Sequence, residues 1–347
     1  MSIIRAGLVG YGLSGSVFQA PVMEGAEGLV LHKVVSSRPE DVHADYPEVT
    51  VVSSYDELLS DPDIDLVIIT TPNTTHFPYA KQALEAGKHV VVEKPFVNRS
   101  ADALELIELA QQKQRVLSVY HNRRWDNDFL TVKELIESGE LGEINTYEAH
   151  YDRFRPEVKN RWREQNIEGS GSLYDLGSHL IDQALHLFGL PEAVYGDSFV
   201  QRVNGQAPDY FHLVLYYGNR RVILHCGSIV KEAGPHFQVH GSKGSYIKYG
   251  MDSQEDQLRQ GKKPGAAGWG EDSPERYGQL TLDVDGETIT RTVETRIGGY
   301  EKYYQGIVDA ILHGKEVPVS AVDGMNVIKV IELAMVSVAE GRVVPFK

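Results

Sequence analysis

The first part of the chain alternates short apolar runs with segments whose apolar residues recur at helical spacing. The apolar runs read IIRAGLV, LVLHKVVSS, TVVSS, IDLVIITT, HVVVEK and RVLSVYH, and SADALELIELAQQKQ is an example of the segments between them. Strands that are apolar along their whole length are covered on both faces, and their alternation with helices is typical of a parallel sheet. The pattern therefore predicts an α/β fold, with a doubly wound N-terminal domain at residues 1–122.

After residue 122 the pattern changes to strands in which polar and apolar positions alternate. Examples are YFHLVLYYG, RRVILHCGSIV, QLTLDVDG and ETITRTVE, and the turns around them contain Gly-Asn, Gly-Ser and Asp-Gly. Because such turns are typical of β-hairpins, the sequence predicts a C-terminal α+β domain at residues 123–347, built on a large, mostly antiparallel open sheet. Residues 251–278 are polar and rich in Gly and Pro, and they predict a long surface loop.

The charge balance narrows the set of partners. The 347 residues include 49 acidic and 34 basic side chains, a formal charge of −15, so we expect neither nucleic acid nor a membrane surface as a partner. A local basic patch could still serve a small anionic ligand. The single cysteine, Cys226, excludes an intramolecular disulfide and fits a reducing compartment. No apolar run approaches the roughly 18–20 residues of a membrane span, and the N-terminus lacks a secretion signal, so the sequence predicts a cytoplasmic protein.

The motif GLVGYGLSG places three glycines directly after the first predicted strand. In such a G-x-G-x-x-G motif the first glycine permits a tight turn, the second lets the backbone approach a pyrophosphate, and the third allows the helix to pack closely on the strand. The backbone amides at the start of the following helix face the phosphates. The motif predicts a Rossmann domain that binds a dinucleotide. The predicted contacts in the turn are Gly10, Tyr11, Gly12, Leu13, Ser14 and Gly15.

The end of the second predicted strand indicates which dinucleotide binds. NAD sites normally place Asp or Glu there to bind the ribose hydroxyls, whereas this strand ends at Ser36, Ser37 and Arg38. Two hydroxyls and a guanidinium suit an added phosphate, because Arg offers a planar donor fork and keeps its charge. The sequence therefore favours NADP(H) over NAD(H). Two alternatives stay open: Arg38 is a solvated loop cation, or Glu40 or Asp41 turns in to bind the ribose.

Three further motifs carry a resemblance to a known family. The fourth strand runs into TTPNTTH at 70–76, the fifth ends in EKP at 93–95, and GSGSLYDLGSHLID follows at 169–182. Together with the glycine turn, this set resembles the Gfo/Idh/MocA family, the relatives of glucose–fructose oxidoreductase and inositol dehydrogenase, over essentially the whole chain. The stretches HNRRWDNDF, YDRFRP, MDSQEDQLRQGKKPGAAGWG and GGYEKYY are similar to the NADP-dependent scyllo-inositol 2-dehydrogenase branch of that family.

The residues of the motif GSGSLYDLGSHLID also suggest a chemical role without the family resemblance. In an α-helix, positions four apart lie about 40° apart around the axis, so Asp175 and His179 share a face and Asp182 lies on the other flank of His179. A carboxylate beside an imidazole orients the ring and stabilises its protonated form, as a general base or acid requires. One alternative is an ordinary exposed helical pair. Another is a zinc site, but two ligands do not make a site, so no metal is predicted.

Lys94 stands before a proline at the carboxyl end of a predicted parallel strand, where open α/β sheets bind ligands. An ammonium group there can hold a substrate hydroxyl and stabilise the alkoxide that forms as hydride leaves. An ordinary surface lysine is the alternative interpretation. The family resemblance implies that Lys94, Asp175 and His179 form the catalytic set.

The resemblance implies further contacts with the cofactor and the substrate. For the cofactor they are Thr71, Pro72, Asn73, His76, Glu93, Lys94, Trp162 and Arg163, with Glu93 close to the ribose. For the substrate they are Arg124, Asp152 and Asp182. A packed loop tryptophan beside a solvated arginine is an equally good interpretation of Trp162 and Arg163.

Together these observations predict an enzyme that transfers a hydride between NADP(H) and a secondary hydroxyl or ketone of an inositol, sugar or related polyol. Two alternatives within the same family stay open, a non-catalytic regulator that binds NADP and a cofactor-assisted glycosidase. The alternating strands of the second domain leave one apolar sheet face without helices, so we expect a homodimer or homotetramer.

Overall fold

The computed structural model describes residues 3–347, and these fall into two compact units. The first unit comprises the chain up to Trp125 together with Gln254–Gly270 and Gly299–Met325. The second comprises Asp126–Ser253, Glu271–Gly298 and Asn326–Lys347. The sequence predicted one boundary at residue 122, whereas the structure places the first division after Trp125 and assigns two later segments to the first unit.

Packing inside the first unit explains why these later segments belong to it. The ring of Tyr120 contacts the rings of Tyr303 and Tyr304, with centroids 4.9 and 5.6 Å apart, and all three rings are buried. The hydroxyl of Ser118 donates to the carbonyl of Val319 at 2.7 Å. The contact between Ser118 and Tyr303 joins positions 185 residues apart, so a local sequence pattern does not reveal it.

The helices alternate with strands in the N-terminal part of the chain and recur near its C-terminal end. In residues 3–347 they are α1 (Ala20–Met23), α2 (Pro39–Asp45), α3 (Tyr55–Leu59), α4 (His76–Glu85), α5 (Ser100–Lys113), α6 (Asn127–Glu137), α7 (Ser178–Phe188), α8 (Gln254–Arg259), α9 (Glu301–His313) and α10 (Ala321–Glu340). Two π-helical stretches, Ser14–Gln19 and Leu173–Gly177, precede α1 and α7. Short 3₁₀ turns occur at Asn73–Thr75, Asn122–Trp125, Trp162–Glu164 and Pro274–Arg276. Among the residues described, none of these helices combines the length and the apolarity that crossing a membrane requires.

The first unit contains a parallel sheet with the strand order β3-β2-β1-β4-β5-β6. Its strands are β1 (Ile4–Val9), β2 (Leu29–Val35), β3 (Thr50–Val52), β4 (Leu66–Ile69), β5 (His89–Val92) and β6 (Leu117–Val119). Central residues such as Ile68 and Val91 are fully buried, as expected of strands that are covered on both faces. The strand order reverses between β1 and β4, and ligands of such sheets bind outside the carboxyl ends of the strands at this point.

The second unit contains a mixed, mostly antiparallel sheet with the strand order β14-β13-β12-β11-β7-β10-β9-β8-β15. Its strands are β7 (Ile144–His150), β8 (Ala193–Phe199), β9 (Tyr210–Tyr217), β10 (Arg220–Gly227), β11 (Phe237–Gly241), β12 (Gly244–Lys248), β13 (Gly278–Val284), β14 (Glu287–Val293) and β15 (Val344–Pro345). Strands β7 and β10 are parallel, and the other neighbours are antiparallel. Within β9, Phe211 and Leu213 are buried, whereas His212 and Val214 between and after them are half-exposed. The predicted fold class is thus confirmed for both parts of the chain.

Residues 251–278 form the surface loop that their polar composition predicts only in part. They contain α8, and Gln254 at its start is buried, as is Trp269. The side chain of Gln254 accepts a hydrogen bond from the amide of Tyr300 at 2.8 Å and donates one to the carbonyl of Trp125 at 3.0 Å. The prediction was therefore wrong at α8 and Trp269, because polar composition does not distinguish a buried polar side chain that satisfies backbone groups from a solvated one.

Candidate active site

The glycine turn follows β1 and owes its shape to close backbone contacts. Gly10 has a φ of +98°, a conformation that favours glycine, and its amide donates to the carbonyl of Val35 at 3.1 Å. A Cβ added to Gly15 would lie 2.2 Å from the carbonyl oxygen of Gly10, so no larger residue fits there without a shift of the backbone. The hydroxyl of Thr70, just after β4, donates to the same carbonyl at 2.9 Å. The turn is therefore packed tightly on its inner side.

Gly12 faces open space on the other side of the turn. A Cβ added there would meet no heavy atom of the described residues within 4 Å. A cavity of about 360 Å³ adjoins it, lined by Val9, Gly10, Tyr11, Gly12, Val35, Ser36, Ser37, Arg38, Ser53, Tyr55, Thr71 and Tyr79. Leu13 is 52% exposed, and helical structure starts at Ser14. These residues fit a dinucleotide, because a diphosphate has room to approach the backbone at Gly12 ahead of a helix.

Arg38 reaches from the end of β2 to the glycine turn. Its Nη2 donates to the carbonyl of Tyr11 at 3.0 Å, and its Nη1 lies 2.8 Å from the carboxylate of Asp41. The side chains of Arg38 and Asp41 are 56% and 46% exposed. The hydroxyl of Ser36 accepts a hydrogen bond from the amide of Arg38 at 3.0 Å. The guanidinium is thus held beside the cavity by two contacts, and Asp41 faces the guanidinium.

Two tyrosines that the sequence analysis did not select also line the cavity. The rings of Tyr55 and Tyr79 stack with their centroids 4.5 Å apart and their planes 27° apart. The hydroxyl of Tyr55 donates to the carbonyl of Tyr79 at 2.7 Å, and burial raises the pKa of Tyr55 above its usual value. The pair offers a flat aromatic surface to a ring-containing ligand. The sequence signal that could have identified Tyr55 is an aromatic residue soon after the end of β3.

Glu93 follows β5 and connects the end of this strand to the helix behind the glycine turn. Its Oε1 accepts hydrogen bonds from the hydroxyl of Ser14 and from Nε2 of Gln19, the latter at 2.7 Å. Its Oε2 accepts from the amide of Lys94 at 3.0 Å. Lys94 is half-buried, and its peptide bond to Pro95 is cis. Glu93 therefore positions both the first turn of the helix and the backbone of Lys94.

The TTPNTTH segment contributes Thr71 to the cavity lining and buries two other predicted residues. Pro72 directly precedes the 3₁₀ turn, and Asn73 and His76 are 3% and 1% exposed. The two ring nitrogens of His76 lie 2.8 Å from the carbonyl oxygen of Pro95 and 3.0 Å from that of Thr71. Burial lowers the pKa of His76, although the two carbonyls act in the opposite direction. His76 thus links the loop after β4 to the loop after β5.

Arg124, which the resemblance implies as a substrate contact, lies in the 3₁₀ turn after β6. Its side chain is 8% exposed, and its Nη2 lies 3.4 Å from the carboxylate of Asp323. Both residues belong to the first unit. The structure therefore holds the guanidinium in place through an ion pair, and its contact with substrate stays a prediction.

In the second unit, Asp175 and His179 lie on consecutive segments of different helical geometry. The turn at Leu173–Gly177, which contains Asp175, is π-helical, and α7 begins at Ser178. A π-helix has more residues per turn than an α-helix, but positions four apart still lie close to one face, so the shared face of Asp175 and His179 stays a prediction. Asp175 is half-exposed, whereas His179 and Asp182 are 5% and 2% exposed. Single π-turns of this kind occur frequently at functional sites.

A short 3₁₀ turn carries Trp162 and Arg163 to Asp175. The guanidinium of Arg163 lies 4.8 Å from the ring centroid of Trp162, and its Nε lies 3.5 Å from Oδ1 of Asp175. The carbonyl of Arg163 accepts from the amide of Gly171 at 3.1 Å. A Cβ at Gly171 would lie 2.8 Å from the carbonyl oxygen of Pro208, and its φ of +88° also favours glycine. The structure thus groups Trp162 and Arg163 with Asp175, and their cofactor contact stays a prediction.

Asp152 lies between two histidines of the second sheet. Its Oδ2 is 3.4 Å from Nδ1 of His150, and its Oδ1 is 3.3 Å from Nε2 of His225. The amide of Gly227 donates to Oδ1 at 2.9 Å. Although burial opposes ionisation, these hydrogen bonds hold the pKa of Asp152 below its usual value. Burial lowers the pKa of His150, but Asp152 and Glu148 outweigh this effect and raise it.

Among the described residues, His150, Asp152 and His225 are a group that could hold a metal ion, with ligand atoms within 4.8 Å of one another. Imidazole and carboxylate groups at such spacing suit a divalent cation. The sequence analysis tested only Asp175 and His179 for a third ligand. The sequence did not indicate this group, because His225 lies beside His150 only through the pairing of β10 with β7. The substrate contact predicted for Asp152 remains untested by this geometry.

Two family models match the chain. "Oxidoreductase family, NAD-binding Rossmann fold" matches residues 4–121, and "Oxidoreductase family, C-terminal alpha/beta domain" matches residues 133–346. The chain is 48% identical over 341 residues to scyllo-inositol 2-dehydrogenase (NADP(+)) of Bacillus subtilis, which covers 98% of this chain and 95% of that protein. It is 49% identical over 334 residues to the oxidoreductase YdgJ of Escherichia coli, which covers 96% of each.

Solved structures agree with these matches. The oxidoreductase yvaA of Bacillus subtilis, in a triclinic form, superposes with a TM-score of 0.97 at 48% identity, over 100% of this chain and 99% of that chain. An oxidoreductase of Yersinia pestis superposes with a TM-score of 0.95 at 46% identity, over 100% of this chain and 98% of that chain. The two family models cover the Rossmann sheet and the mixed sheet in turn. The chain is therefore a member of the Gfo/Idh/MocA family of oxidoreductases.

Proposed function

We propose that this oxidoreductase transfers a hydride between NADP(H) and a secondary hydroxyl or ketone of an inositol, sugar or related polyol. The observation that carries the proposal is the 48% identity, over 98% of the chain, to a protein named scyllo-inositol 2-dehydrogenase (NADP(+)). The chain also keeps Lys94, Asp175 and His179 at the motif positions of the catalytic set. A non-catalytic regulator has no need of such a set.

Arg38 supports the choice of NADP(H) over NAD(H). Its guanidinium lies 3.0 Å from the carbonyl of Tyr11 and lines the cavity together with Ser36 and Ser37. A planar fork of donors beside two hydroxyls suits the 2′-phosphate that distinguishes the two cofactors. Asp41, an acid that would otherwise compete for the ribose, pairs with Arg38 instead.

The chemistry divides between the cofactor and the side chains. A bound nicotinamide supplies the hydride acceptor or donor. In the proposed mechanism His179 accepts the proton of the substrate hydroxyl during oxidation and returns it during reduction. Asp175 supplies the negative charge that favours the protonated imidazole. Lys94 donates a hydrogen bond to the substrate oxygen and stabilises its developing negative charge, and Glu93 positions the backbone of Lys94.

The absorbance of reduced nicotinamide tests this proposal directly. NADP⁺ and NAD⁺ are each combined with myo-inositol, scyllo-inositol and common hexoses, and the reverse reactions are run with the ketones. We expect turnover with at least one polyol, and faster turnover with NADP⁺ than with NAD⁺. Binding of NADP⁺ without turnover in either direction would favour the regulator. Cleavage of a glycoside with retained cofactor and no net absorbance change would favour the cofactor-assisted glycosidase.

We also propose a cytoplasmic protein that assembles into a homodimer or homotetramer through the half-exposed face of the mixed sheet. On β9 this face presents His212, Val214 and Tyr216, which alternate with buried residues. A partly apolar sheet face of this kind usually pairs with a copy of itself, because isologous contacts close the assembly. Sedimentation equilibrium at micromolar concentration measures the mass in solution. A monomer at all concentrations would contradict the proposal.

A further inference from the structure

A cavity of about 60 Å³ in the second unit is lined by an unusual number of arginines. The arginines are Arg153, Arg155, Arg161, Arg163 and Arg202. Guanidinium groups repel one another at short range, so five of them around one small space favour negative charge within or beside it. The question is how much of that negative charge the protein itself provides.

Three carboxylates in the lining offset part of the positive charge, and they belong to Glu164, Asp175 and Asp209. Glu164 lies 2.7 Å from Arg161 and 3.3 Å from Arg202. Asp209 lies 2.6 Å from Arg202, and both of these side chains are almost fully buried. Counted as formal charges among the lining residues alone, five guanidinium groups and three carboxylates give an excess of two positive charges. This excess stands in a protein whose formal charge is −15.

Arg153 and Arg155 are held in place by the backbone. The amide of Arg153 donates to the carbonyl of Gly227 at 2.9 Å, and that of Arg155 donates to the carbonyl of Ser228 at 2.7 Å. Alternate residues of an extended segment point to the same side, which explains why both side chains line the cavity. The guanidinium of Arg153 also lies 4.9 Å from the ring centroid of Tyr151. A stacked guanidinium keeps its charge and presents its donors in one direction, as recognition of a carboxylate or phosphate requires.

The cavity adjoins a residue of the proposed reaction. Asp175 belongs to its lining, as does Arg163, which lies 3.5 Å from Asp175. A water molecule needs roughly 10–15 Å³ of such space. The volume of about 60 Å³ therefore accommodates about four to six water-sized groups, close to the size of a carboxylate or a phosphate group.

We propose that this arginine cavity binds the anionic group, a carboxylate or a phosphate, of the sugar or polyol on which the protein acts. The proposal rests on the proposed function and narrows its substrate, an inositol, sugar or related polyol, to an acidic or phosphorylated one. Guanidinium forks hold either group through paired, charge-assisted hydrogen bonds.

A binding experiment tests the cavity without any turnover. Inorganic phosphate is titrated into the protein saturated with NADP⁺, and heat is measured by calorimetry. We expect saturable binding that weakens at least tenfold in Arg155→Gln and in Arg153→Gln. Arg291→Gln is the matched control, because Arg291 pairs with Glu140 on the mixed-sheet unit outside the cavity, and its affinity should equal that of the unchanged protein.

Two results of this titration would overturn the proposal. One is no phosphate binding by the unchanged protein, and the other is equal binding by Arg153→Gln, Arg155→Gln and the control. Since Arg153 stacks on Tyr151, loss of its side chain could prevent folding. Arg153→Lys keeps the charge without the planar fork, and it should fold and bind phosphate with intermediate affinity. Arg155 is exposed, so Arg155→Gln should fold. The test therefore does not depend on whether Arg153→Gln folds.

A kinetic experiment separates the two possible anionic groups. Turnover with NADP⁺ is compared for glucose, glucuronate and glucose 6-phosphate, and for myo-inositol and an inositol monophosphate. We expect kcat/KM to be roughly 10- to 100-fold higher for one charged member than for its neutral counterpart, the usual effect of charge-assisted hydrogen bonds. Preference for the neutral members contradicts the anionic substrate and leaves the dehydrogenase intact. If none of these compounds is turned over, the proposed function is contradicted. The phosphate titration then still shows whether the arginine cavity binds an anion.

Discussion

The glycine turn of the first unit and the arginine cavity of the second are built on different physical grounds. The turn depends on the backbone, because a Cβ at Gly15 would lie 2.2 Å from the carbonyl oxygen of Gly10. The cavity depends on charge, because its lining holds ion pairs such as Arg202 and Asp209 at 2.6 Å and more arginines than carboxylates. A close steric contact cannot accept one more carbon, because two atoms cannot overlap. An ionic contact becomes weaker by the share of each charge that is removed. We therefore expect mutations in the two regions to have effects of different size and kind.

The largest effect should come from Gly15→Ala. Its added carbon forces the backbone of the turn apart, which we expect to abolish measurable NADP⁺ binding and to lower the free energy of unfolding by about 1–3 kcal/mol or more. Calorimetric titration with NADP⁺ and chemical denaturation measure these two quantities.

Gly12→Ala is the matched control for Gly15→Ala. Its added carbon meets no heavy atom of the described residues within 4 Å, so the free energy of unfolding should change by less than about 1 kcal/mol. The methyl group does occupy the space proposed for the diphosphate, so NADP⁺ binding should still fall at least tenfold. If both variants lost stability equally, the steric account of the turn would be wrong.

The second largest effect should come from His179→Ala. Loss of a positioned general acid or base should reduce kcat by about 10²- to 10⁴-fold. The affinity for NADP⁺ should stay nearly the same, because His179 is not among the predicted cofactor contacts. Steady-state kinetics and a separate NADP⁺ titration check both statements. Unchanged kcat would remove His179 from the mechanism.

Arg38→Gln should have a smaller effect that is specific to one cofactor. We expect kcat/KM for NADP⁺ to fall about 10- to 100-fold, the usual value of hydrogen bonds to a charged group, and kcat/KM for NAD⁺ to stay nearly constant. The matched control is Asp41→Asn, which removes the ion pair at 2.8 Å but keeps the guanidinium. This control should retain or improve the use of NADP⁺. An equal loss with both cofactors in Arg38→Gln would contradict the 2′-phosphate contact.

The smallest effect should be seen at Cys226, a natural reporter for the second unit. Its side chain is 1% exposed, and burial raises the pKa of the thiol to about 12. Only the thiolate reacts with a disulfide reagent, so the folded protein should be nearly inert at pH 8 and should react at one thiol per chain in denaturant. Rapid reaction of the folded protein would contradict the burial of this strand.

The same thiol adds a pH dependence of known sign. Its pKa is higher in the folded state, at about 12, than the value of about 8.5 expected for the unfolded chain. The folded state therefore holds this proton more tightly, so the associated stability is complete below about pH 8.5 and is lost as the pH rises toward 12. Denaturation curves at pH 7, 9 and 10 measure this loss, and Cys226→Ser should lack it.

Several features of the site were predicted from the sequence because their signals are local. The glycine motif, the hydroxyls and guanidinium at the end of β2, and the segment with Asp175 and His179 each lie within about fifteen consecutive residues or directly after a recognisable strand. The π-turn at Asp175 was not predicted, because apolar spacing does not distinguish it from a regular α-helix. Likewise, the mutual placement of Tyr55 and Tyr79 depends on how two helices pack beside the glycine turn.

By itself the sequence determined the two sheets and the turn that fits a dinucleotide, because each depends on periodicity or on short-range backbone geometry. The resemblance to the family came from the residues of its motifs. Only the tertiary structure decided that Arg153, Glu164, Asp175 and Arg202 surround one cavity and that Asp152 lies between His150 and His225. It also decided that Tyr303 packs against Tyr120 across 183 positions of the chain. The physical reason is that charge pairing and aromatic packing act between residues close in space, and the order of residues along the chain does not record that proximity.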